Sequence, residues 1–237
     1  MQRPSTSPRA VRARLAVLVA AFALAAPPLP FAMAQAPVAE LTVVAYGAQR
    51  FDLATGRTVL DDGGEVVDRA SGVRMTAAWI AYVDGASLEA RDATIAGDLG
   101  RVRAARVVID LELGRVRAEG DLEFERPGIR ARAAYLGLDG PAGLAWLAGG
   151  VVAELPDATA AAVWIDVADG RLVLDGPFRY VDGPFVLEGD TGARLQLDPI
   201  TVDDAAGYDA RTDVEADLVE RIASVAAALD PVPPTDP

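Results

Sequence analysis

The sequence predicts an all-β protein: an elongated, twisted β-jellyroll built of two-strand repeats of about 28 residues, followed by a C-terminal amphipathic helix. Three observations support this prediction. Apolar and polar residues alternate with the two-residue period of half-buried strands, Asp-Gly dipeptides typical of tight turns recur between them, and similar segments return at a nearly constant spacing. A repeat of this size cannot bury its own apolar face, so stacked repeats are expected to share one core.

The repeat is clearest in two segments, Val107–Phe124 and Val163–Tyr180, which align at an offset of 56 residues. The alanines that open successive apolar segments stand at steps of 28, 28 and 29 residues: Ala77, Ala105, Ala133 and Ala162. Three repeats also carry two glycines six residues apart, which are expected to lie in turns: Gly114 and Gly120, Gly143 and Gly149, Gly170 and Gly176. No helix signal occurs between about Leu41 and Leu197, so the repeats are predicted to form one domain.

Residues 1–34 have the layout of a secretory signal peptide. Three arginines precede a 12-residue apolar stretch, Leu15–Ala26, and Ala32-Met33-Ala34 supplies a small-x-small cleavage site. The alternative is a membrane anchor, but 12 apolar residues fall short of the ~20 that span a bilayer. We therefore expect export to the periplasm, with the jellyroll domain at residues 35–199.

The sequence pattern changes after Pro199. Residues 200–211 are predicted to be an acidic connector, and residues 231–237, which are rich in proline, a disordered tail. Residues 212–230 are predicted to be helical, because their apolar residues fall on one stripe and Thr212 with Glu215 matches a capping box. The helix is expected to dock on the domain or to plug one end of the roll.

The composition excludes many kinds of catalytic site. The chain has no Cys, His or Lys, which removes disulfides, thiolate and imidazole chemistry, His- or Cys-bound metals and lysine Schiff bases. The adjacent carboxylates of Asp61-Asp62 and Asp203-Asp204 point to opposite faces of an extended chain, whereas a glycosidase needs two that face each other. We expect a protein that is not an enzyme and has no cofactor or metal; a carbohydrate-active enzyme is the weakest alternative.

The charge of the chain disfavours nucleic-acid binding. The first 34 residues hold four arginines and no acid, so residues 35–237 carry 18 basic and 35 acidic residues, a net charge near −17. Such a chain repels phosphates and gains nothing from counterion release. Arginine is nevertheless dense between residues 101 and 132, with eight arginines against six acids. A solvated strand face would have the same composition.

The repeated pattern A-x-[W/V]-I-D-x-x-x-G-R-L-x-L-x-G, after a signal peptide, resembles the OstA-like family of periplasmic lipopolysaccharide-transport proteins. This family includes LptA-like bridge proteins and the N-terminal domain of the outer-membrane lipopolysaccharide-assembly protein. The residues that carry the resemblance are 105–124, 130–138 and 162–178, with a weaker copy at 72–85. The acidic charge and the C-terminal helix depart from the family pattern.

The resemblance implies a jellyroll whose apolar interior holds the acyl chains of a lipopolysaccharide-like glycolipid during outer-membrane biogenesis. Its sheet edges would pair with other jellyroll-domain envelope proteins, or with further copies of the chain head to tail. Four arginines are candidates to offset the charge of the head group: Arg103, Arg106, Arg115 and Arg117.

Thirteen alternating residues are predicted to line the lipid path. They are Trp79, Val107, Ile109, Leu111, Leu122, Phe124, Tyr135, Val163, Ile165, Val167, Leu172, Leu174 and Phe178. Each of them fits an ordinary core equally well, since a shift of one residue in strand register moves a side chain to the other face. The alternative function is therefore a structural or adhesive β-solenoid with a closed, packed core.

Overall fold

The computed structural model describes residues 41–69, 72–97, 100–126, 129–202 and 205–229. The predicted signal peptide and C-terminal tail lie outside these residues. The described residues form fifteen β-strands and one α-helix, which confirms the prediction of an all-β protein with a C-terminal helix. The elements are β1 (Leu41–Ala45), β2 (Gln49–Asp52), β3 (Arg57–Leu60), β4 (Gly64–Asp68), β5 (Arg74–Val83), β6 (Ser87–Gly97), β7 (Gly100–Asp110), β8 (Arg115–Arg126), β9 (Ile129–Asp139), β10 (Leu144–Leu155), β11 (Asp157–Asp166), β12 (Leu172–Asp182), β13 (Phe185–Gly189), β14 (Arg194–Val202), β15 (Ala205–Arg211) and α1 (Ala216–Leu229).

All fifteen strands belong to one antiparallel sheet. Its order is β1-β4-β5-β6-β7-β8-β9-β10-β11-β12-β14-β15; β3 also pairs with β5 and with β2, and β13 pairs with β12. The strands from β5 to β12 follow one another as a meander, because each is joined to the next by a short turn. No pairing joins the first described strand to the last, so the sheet is open at both ends.

Each long strand from β5 to β12 is interrupted near its middle. Between β5 and β6, for example, the pair Ala77 and Ala93 is followed by Trp79 and Arg91, so that one residue of each strand is left out of the ladder. We call the row of interruptions the bend line, because such irregularities bend a strand. Its residues are Ala78, Asp92, Ala105, Gly120, Asp121, Ala134, Gly149, Gly150, Ala161, Gly176 and Pro177.

The bend line divides the sheet into two walls. Wall A contains the strand halves that meet at the β5–β6, β7–β8, β9–β10 and β11–β12 turns, together with β2, β3, β14 and β15. Wall B contains the other halves, with β1, β4 and β13. Leu88 and Ile109 of wall A meet Met75 and Ile95 of wall B around one small cavity, which shows that the walls face each other.

The bend also turns both halves of a strand toward the interior. In β5 the buried residues that join the interior apolar cluster are Met75 and Ala77 before the bend and Ile80 after it, a step of three instead of two. Strict alternation would have sent the second half of the strand to the opposite face. The side chains from both walls form one apolar cluster, which we call the seam; it extends from Leu41 in β1 to Leu197 in β14.

The repeated Ile-Asp…Gly-Arg pattern is explained by the turns of wall A. Asp110, Asp139 and Asp166 end their strands, and each carboxylate accepts a backbone N–H two or three residues further along, at 2.8–3.1 Å. These are the side-chain-capped turns that Asp favours. Of the paired glycines, the first of each pair lies in these turns, as predicted. The second lies on the bend line inside a strand, where the expectation of a turn was wrong.

The chain after Pro199 differs from the prediction of an acidic connector at residues 200–211. It continues as strand to Val202 and returns as β15, because apolar residues still alternate: Tyr208 and Ala210 pack against the seam. The helix begins at Ala216 rather than at Thr212. The N–H of Glu215, just before the helix, is satisfied by the side-chain oxygen of Gln196 at 3.0 Å instead of by the predicted capping box.

Helix α1 docks on the outer face of wall A. Leu218, Ile222 and Val225 are buried against an apolar patch formed by Leu144, Trp164 and Val173 of β10, β11 and β12. This patch faces away from the seam, so strands β10–β12 are apolar on both faces. The helix therefore covers the sheet from outside and does not plug the roll.

Candidate functional site

The seam brings together eleven of the thirteen residues predicted to line a lipid path. They are Val107, Ile109, Leu111, Leu122, Phe124, Val163, Ile165, Val167, Leu172, Leu174 and Phe178. Phe124 and Ile165 are partly buried, and the other nine are buried. Phe124 stands on wall B and Ile165 on wall A, so residues far apart in the chain contribute to one apolar interior.

The seam is closed in this structure. The buried residues of the seam are at most 8% exposed. The cavity that Leu88 and Ile109 of wall A form with Met75 and Ile95 of wall B measures only about 10 Å³. A volume of that size holds about one water molecule and no acyl chain. An acyl chain can therefore enter only where the two walls separate or end.

Two predicted residues lie on the outer face instead. Trp79 is held between two guanidinium groups, with that of Arg91 4.6 Å and that of Arg57 5.7 Å from its ring centroid, a cation–π arrangement. Tyr135 lies beside Gly149 on the outside of the bend line. Each follows directly after an unpaired bend residue, which shifts the alternation by one position and reverses the face.

The outer apolar patch under α1 was not foreseen. Trp146 and Trp164 stack there with ring centroids 5.6 Å apart, and Trp164 donates a hydrogen bond to Asp175 at 2.8 Å. The signal in the sequence is the uninterrupted apolar run Ala161–Ile165, since a strand exposed on one face would alternate. The other part of the signal is the apolar stripe of the predicted C-terminal helix, which needs an apolar surface to pack against.

The four arginines proposed to meet a head group point to solvent on the outer face or its turns, not into the seam. Arg106 bridges Glu89 and Glu119, each at 3.0 Å, and Arg103 lies 3.5 Å from Glu123. The hydrogen bond to Glu119 is the main reason that the pKa of Arg106 is raised above its ordinary value.

Arg115 and Arg117 stand on the same half of β8. Arg115 pairs with Asp139 at 3.0 Å, and Arg117 lies across from Gly137 on the exposed face. The carboxylates of neighbouring strands therefore balance most of this arginine-rich segment, and the structure does not gather the four side chains into one cationic site.

A buried polar cluster ties α1 to wall A. Asp166 is only 2% exposed and accepts hydrogen bonds from Arg221 at 2.6 Å and from Arg171 at 3.2 Å. Arg221 also donates to the carbonyl of Ala142 at 3.1 Å, and Arg171 donates to Glu215 at 2.5 Å. Because these bonds connect the helix to two turns of the sheet, they fix its position along the wall.

The pKa values of two carboxylates in this cluster, Asp166 and Asp169, are shifted in opposite directions. Burial alone would raise the pKa of Asp166, but the hydrogen bonds from Arg221 and from the N–H of Ala168 outweigh it, so the pKa lies below its ordinary value. Burial, followed by the neighbouring Asp166, raises the pKa of Asp169. The arrangement is that of a structural ion-pair network, since its bonds join the helix to the turns of wall A.

Two further features are absent from the residues that the structure describes. No helix among them has the length and hydropathy needed to cross a bilayer. The same part of the chain brings together no three Asp or Glu side chains in an arrangement that could hold a metal ion.

Comparison with known proteins finds similar folds among solved structures. No protein-family model matches the sequence, and no curated protein is significantly similar to it. Among solved structures, the fold is similar to LptH from Pseudomonas aeruginosa, described as the LptA homologous periplasmic component of the conserved lipopolysaccharide transport device. The match has a TM-score of 0.36 and 14% identity, and it covers 42% of this chain and 76% of LptH. A likeness of this extent assigns no function.

Proposed function

We propose that the chain is a non-enzymatic lipid-binding protein of the periplasm, whose seam takes up the acyl chains of a lipopolysaccharide-like glycolipid during outer-membrane biogenesis. One observation carries the proposal. Eleven residues chosen from the sequence for a lipid path lie in a single apolar seam that runs from one open end of the sheet to the other. A lipid in water needs such a strip, since each exposed CH₂ group costs about 0.8 kcal/mol.

The construction of the two walls supports opening of the seam. Every strand pairing in the described chain joins segments of the same wall, and the walls are connected only through the bend line and the short connections at residues 46–48, 61–63 and 190–193. Separating them breaks side-chain packing but no ladder hydrogen bond. An acyl chain entering between Phe124 and Ile165 would replace the apolar contacts that the walls lose, so opening need not leave apolar surface in water.

The open ends of the sheet support the proposed partners. β2 and β13 each pair on one side only, and their exposed apolar residues include Phe51, Phe185 and Val186. Unpaired strand edges join other sheets by strand addition. We propose that they pair with other jellyroll-domain envelope proteins or with copies of this chain head to tail.

A crosslinking experiment tests the lipid proposal. A photoreactive benzoyl-phenylalanine is placed at Phe124 or Ile165, on opposite walls of the seam, and at Val152 as an outer-face control that is 51% exposed. The full chain is produced in a host with a lipopolysaccharide-containing outer membrane and irradiated. We expect lipid adducts from the two seam positions and none from Val152. Absence of adducts at both seam positions in folded protein would refute lipid uptake.

A structural module with a permanently closed core is the second candidate, and the cavity of only about 10 Å³ favours it. The chain has no native cysteine, so a disulfide can be introduced without competition. Met75→Cys and Ile109→Cys place one thiol on each wall at the same cavity. If the seam must open, oxidation of this pair should abolish the adducts at Phe124 and reduction should restore them. A closed module would give no adducts in either state and would self-associate through its edges.

A further inference from the structure

The C-terminal end of the seam is built differently from its middle, because β12 is the last strand that belongs to both walls. Its first half pairs with β14, as in Leu172 with Leu197, and its second half pairs with β13, as in Tyr180 with Leu187. Beyond β12, the chain crosses the bend line at residues 190–193, which join β13 on wall B to β14 on wall A. Wall B then ends with β13 and wall A with β15, and we call the space between these two strands the C-terminal mouth.

Strand β13 exposes side chains that face the interior. Residues paired across antiparallel strands share a face, so Leu187 faces the same way as the buried Tyr180. Phe185, two residues away, lies on that face as well. In the middle of the seam the apolar residues that face the interior are buried, whereas on β13 Leu187 is 36% exposed and Phe185 is 72% exposed. An acyl chain can reach this apolar surface without first separating the walls.

The rim of the mouth is acidic. Tyr208 of β15 packs against the seam from wall A. Asp182 pairs with Phe185 across β12 and β13, and Asp209 directly follows Tyr208 in β15, so both carboxylates stand beside the mouth. Burial raises the pKa of the neighbouring Tyr180, and Asp182, Tyr208 and Asp209 raise it further. Asp182 and Asp209 are exposed.

The arginines nearest the mouth in the described chain are engaged by other carboxylates. Arg179 lies 3.6 Å from Glu188, and Arg211 lies 2.5 Å from Asp198. The charge that a polar head group meets beside Phe185 is therefore negative.

We infer that lipid enters the seam through the C-terminal mouth and that its polar head group is neutral or cationic. The inference rests on the proposed function and narrows its ligand class to glycolipids whose head groups, unlike the phosphorylated head group of lipopolysaccharide, carry no net negative charge. When acyl chains lie along Phe185 and Leu187, the head group stays at the rim beside Asp182 and Asp209. An anionic head group is repelled there, and one like-charge contact at about 4 Å in water weakens binding about fivefold.

Three fluorescent lipids with the same two oleoyl chains test the inference: neutral phosphatidylcholine, a cationic trimethylammonium-propane lipid and anionic phosphatidylglycerol. Binding to the full chain is measured at low and high salt. We expect the anionic lipid to bind about fivefold more weakly than the neutral one at low salt, with the difference shrinking as salt screens the rim. The double variant Asp182→Asn, Asp209→Asn should remove the discrimination without weakening binding of the neutral lipid.

The position of the mouth is tested with Phe185→Ser and Leu187→Ser together. We expect this variant to weaken binding of all three lipids, whereas Val44→Ser, an exposed position at the other end of the sheet, should not. Equal or tighter binding of the anionic lipid overturns the head-group inference while lipid binding itself stands. Unchanged binding in the β13 variant overturns the mouth. If none of the three lipids binds, both the proposed function and this inference fail.

Discussion

Gly149 in β10 lies against Ala134 in β9 so closely that a Cβ atom on the glycine would stand 2.5 Å from the Ala134 methyl carbon. Gly149 also has a φ of +83°, a conformation that other residues adopt only with strain. The same relationship recurs two strands earlier, where a Cβ on Gly120 would lie 2.8 Å from the methyl of Ala105. The repeating glycines and alanines thus allow the strands to bend, and the bend brings the walls together.

Replacing Gly149 by alanine should destabilise the protein by roughly 2–4 kcal/mol, the sum of left-handed strain and overpacking. The matched control is Gly143→Ala, which has a φ of +63° but no neighbouring atom within 4 Å, so it should cost only about 1–2 kcal/mol. Urea unfolding monitored by circular dichroism measures both. Adding Ala134→Gly to Gly149→Ala should restore the part due to crowding, and equal stabilities of the two single variants would contradict this account.

Ile222 should be essential for docking of helix α1. It is 1% exposed in the cluster with Leu218 and Trp164, so Ile222→Ala should cost about 2–5 kcal/mol of docking or unfolding free energy. Because Trp146 and Trp164 lie in or beside the covered patch, their emission should shift to the red. Ser224→Ala on the exposed side of the helix is the control and should change neither quantity. Unchanged tryptophan emission in Ile222→Ala would show that the helix does not cover this patch in solution.

The period of the repeat could be predicted from sequence because it reflects the two-strand unit itself. The spacing of Ala77, Ala105, Ala133 and Ala162 follows the bend line to within one residue on every second strand. The alternation within each strand half was also sufficient to place eleven of the thirteen predicted lining residues in the seam. The repeat spacing and the alternation are both local signals, since each depends only on residues within one strand or one pair of neighbouring strands.

The faces of Trp79 and Tyr135 could not be predicted in the same way. Alternation counted from Met75 or Ala131 puts them inside, but the unpaired residues Ala78 and Ala134 shift the count by one. A single alanine gives no sign that it will leave the ladder. The outer patch around Trp164 was missed because it depends on a contact with a helix about fifty residues further along the chain.

Asp166 and Asp169 should respond to substitution in opposite ways. The pKa of Asp166 is lowered in the folded state, so its stabilising contribution is present above its ordinary value and is lost as the pH falls through the lower folded value. The pKa of Asp169 is raised, so its ionised form opposes folding at neutral pH, and this cost disappears when it is protonated.

At pH 7, Asp166→Asn should therefore lower the free energy of unfolding by roughly 1.5–3 kcal/mol, the range for hydrogen bonds to a charged group. Asp169→Asn should be neutral or slightly stabilising. Denaturant titrations between neutral and acidic pH measure both variants against the parent protein. The deficit of Asp166→Asn should shrink as the pH falls. A deficit that is constant with pH would mean that the packing of the side chain, and not its charge, holds the helix in place.

The arginine-rich outer face should contribute much less to stability than the seam. Arg106 is paired with Glu89 and Glu119 but is 48% exposed, so Arg106→Gln should cost less than about 1 kcal/mol, and the cost should decrease in high salt. Leu122→Ala removes a side chain that is 1% exposed in the seam and should cost about 2–5 kcal/mol with little dependence on salt. Urea midpoints at two ionic strengths compare the two variants. Since these ion pairs join strands of wall A on a surface already solvated, a larger effect at Arg106 than at Leu122 would mean that surface charge within one wall stabilises the protein more than the apolar packing between the walls on which lipid uptake depends.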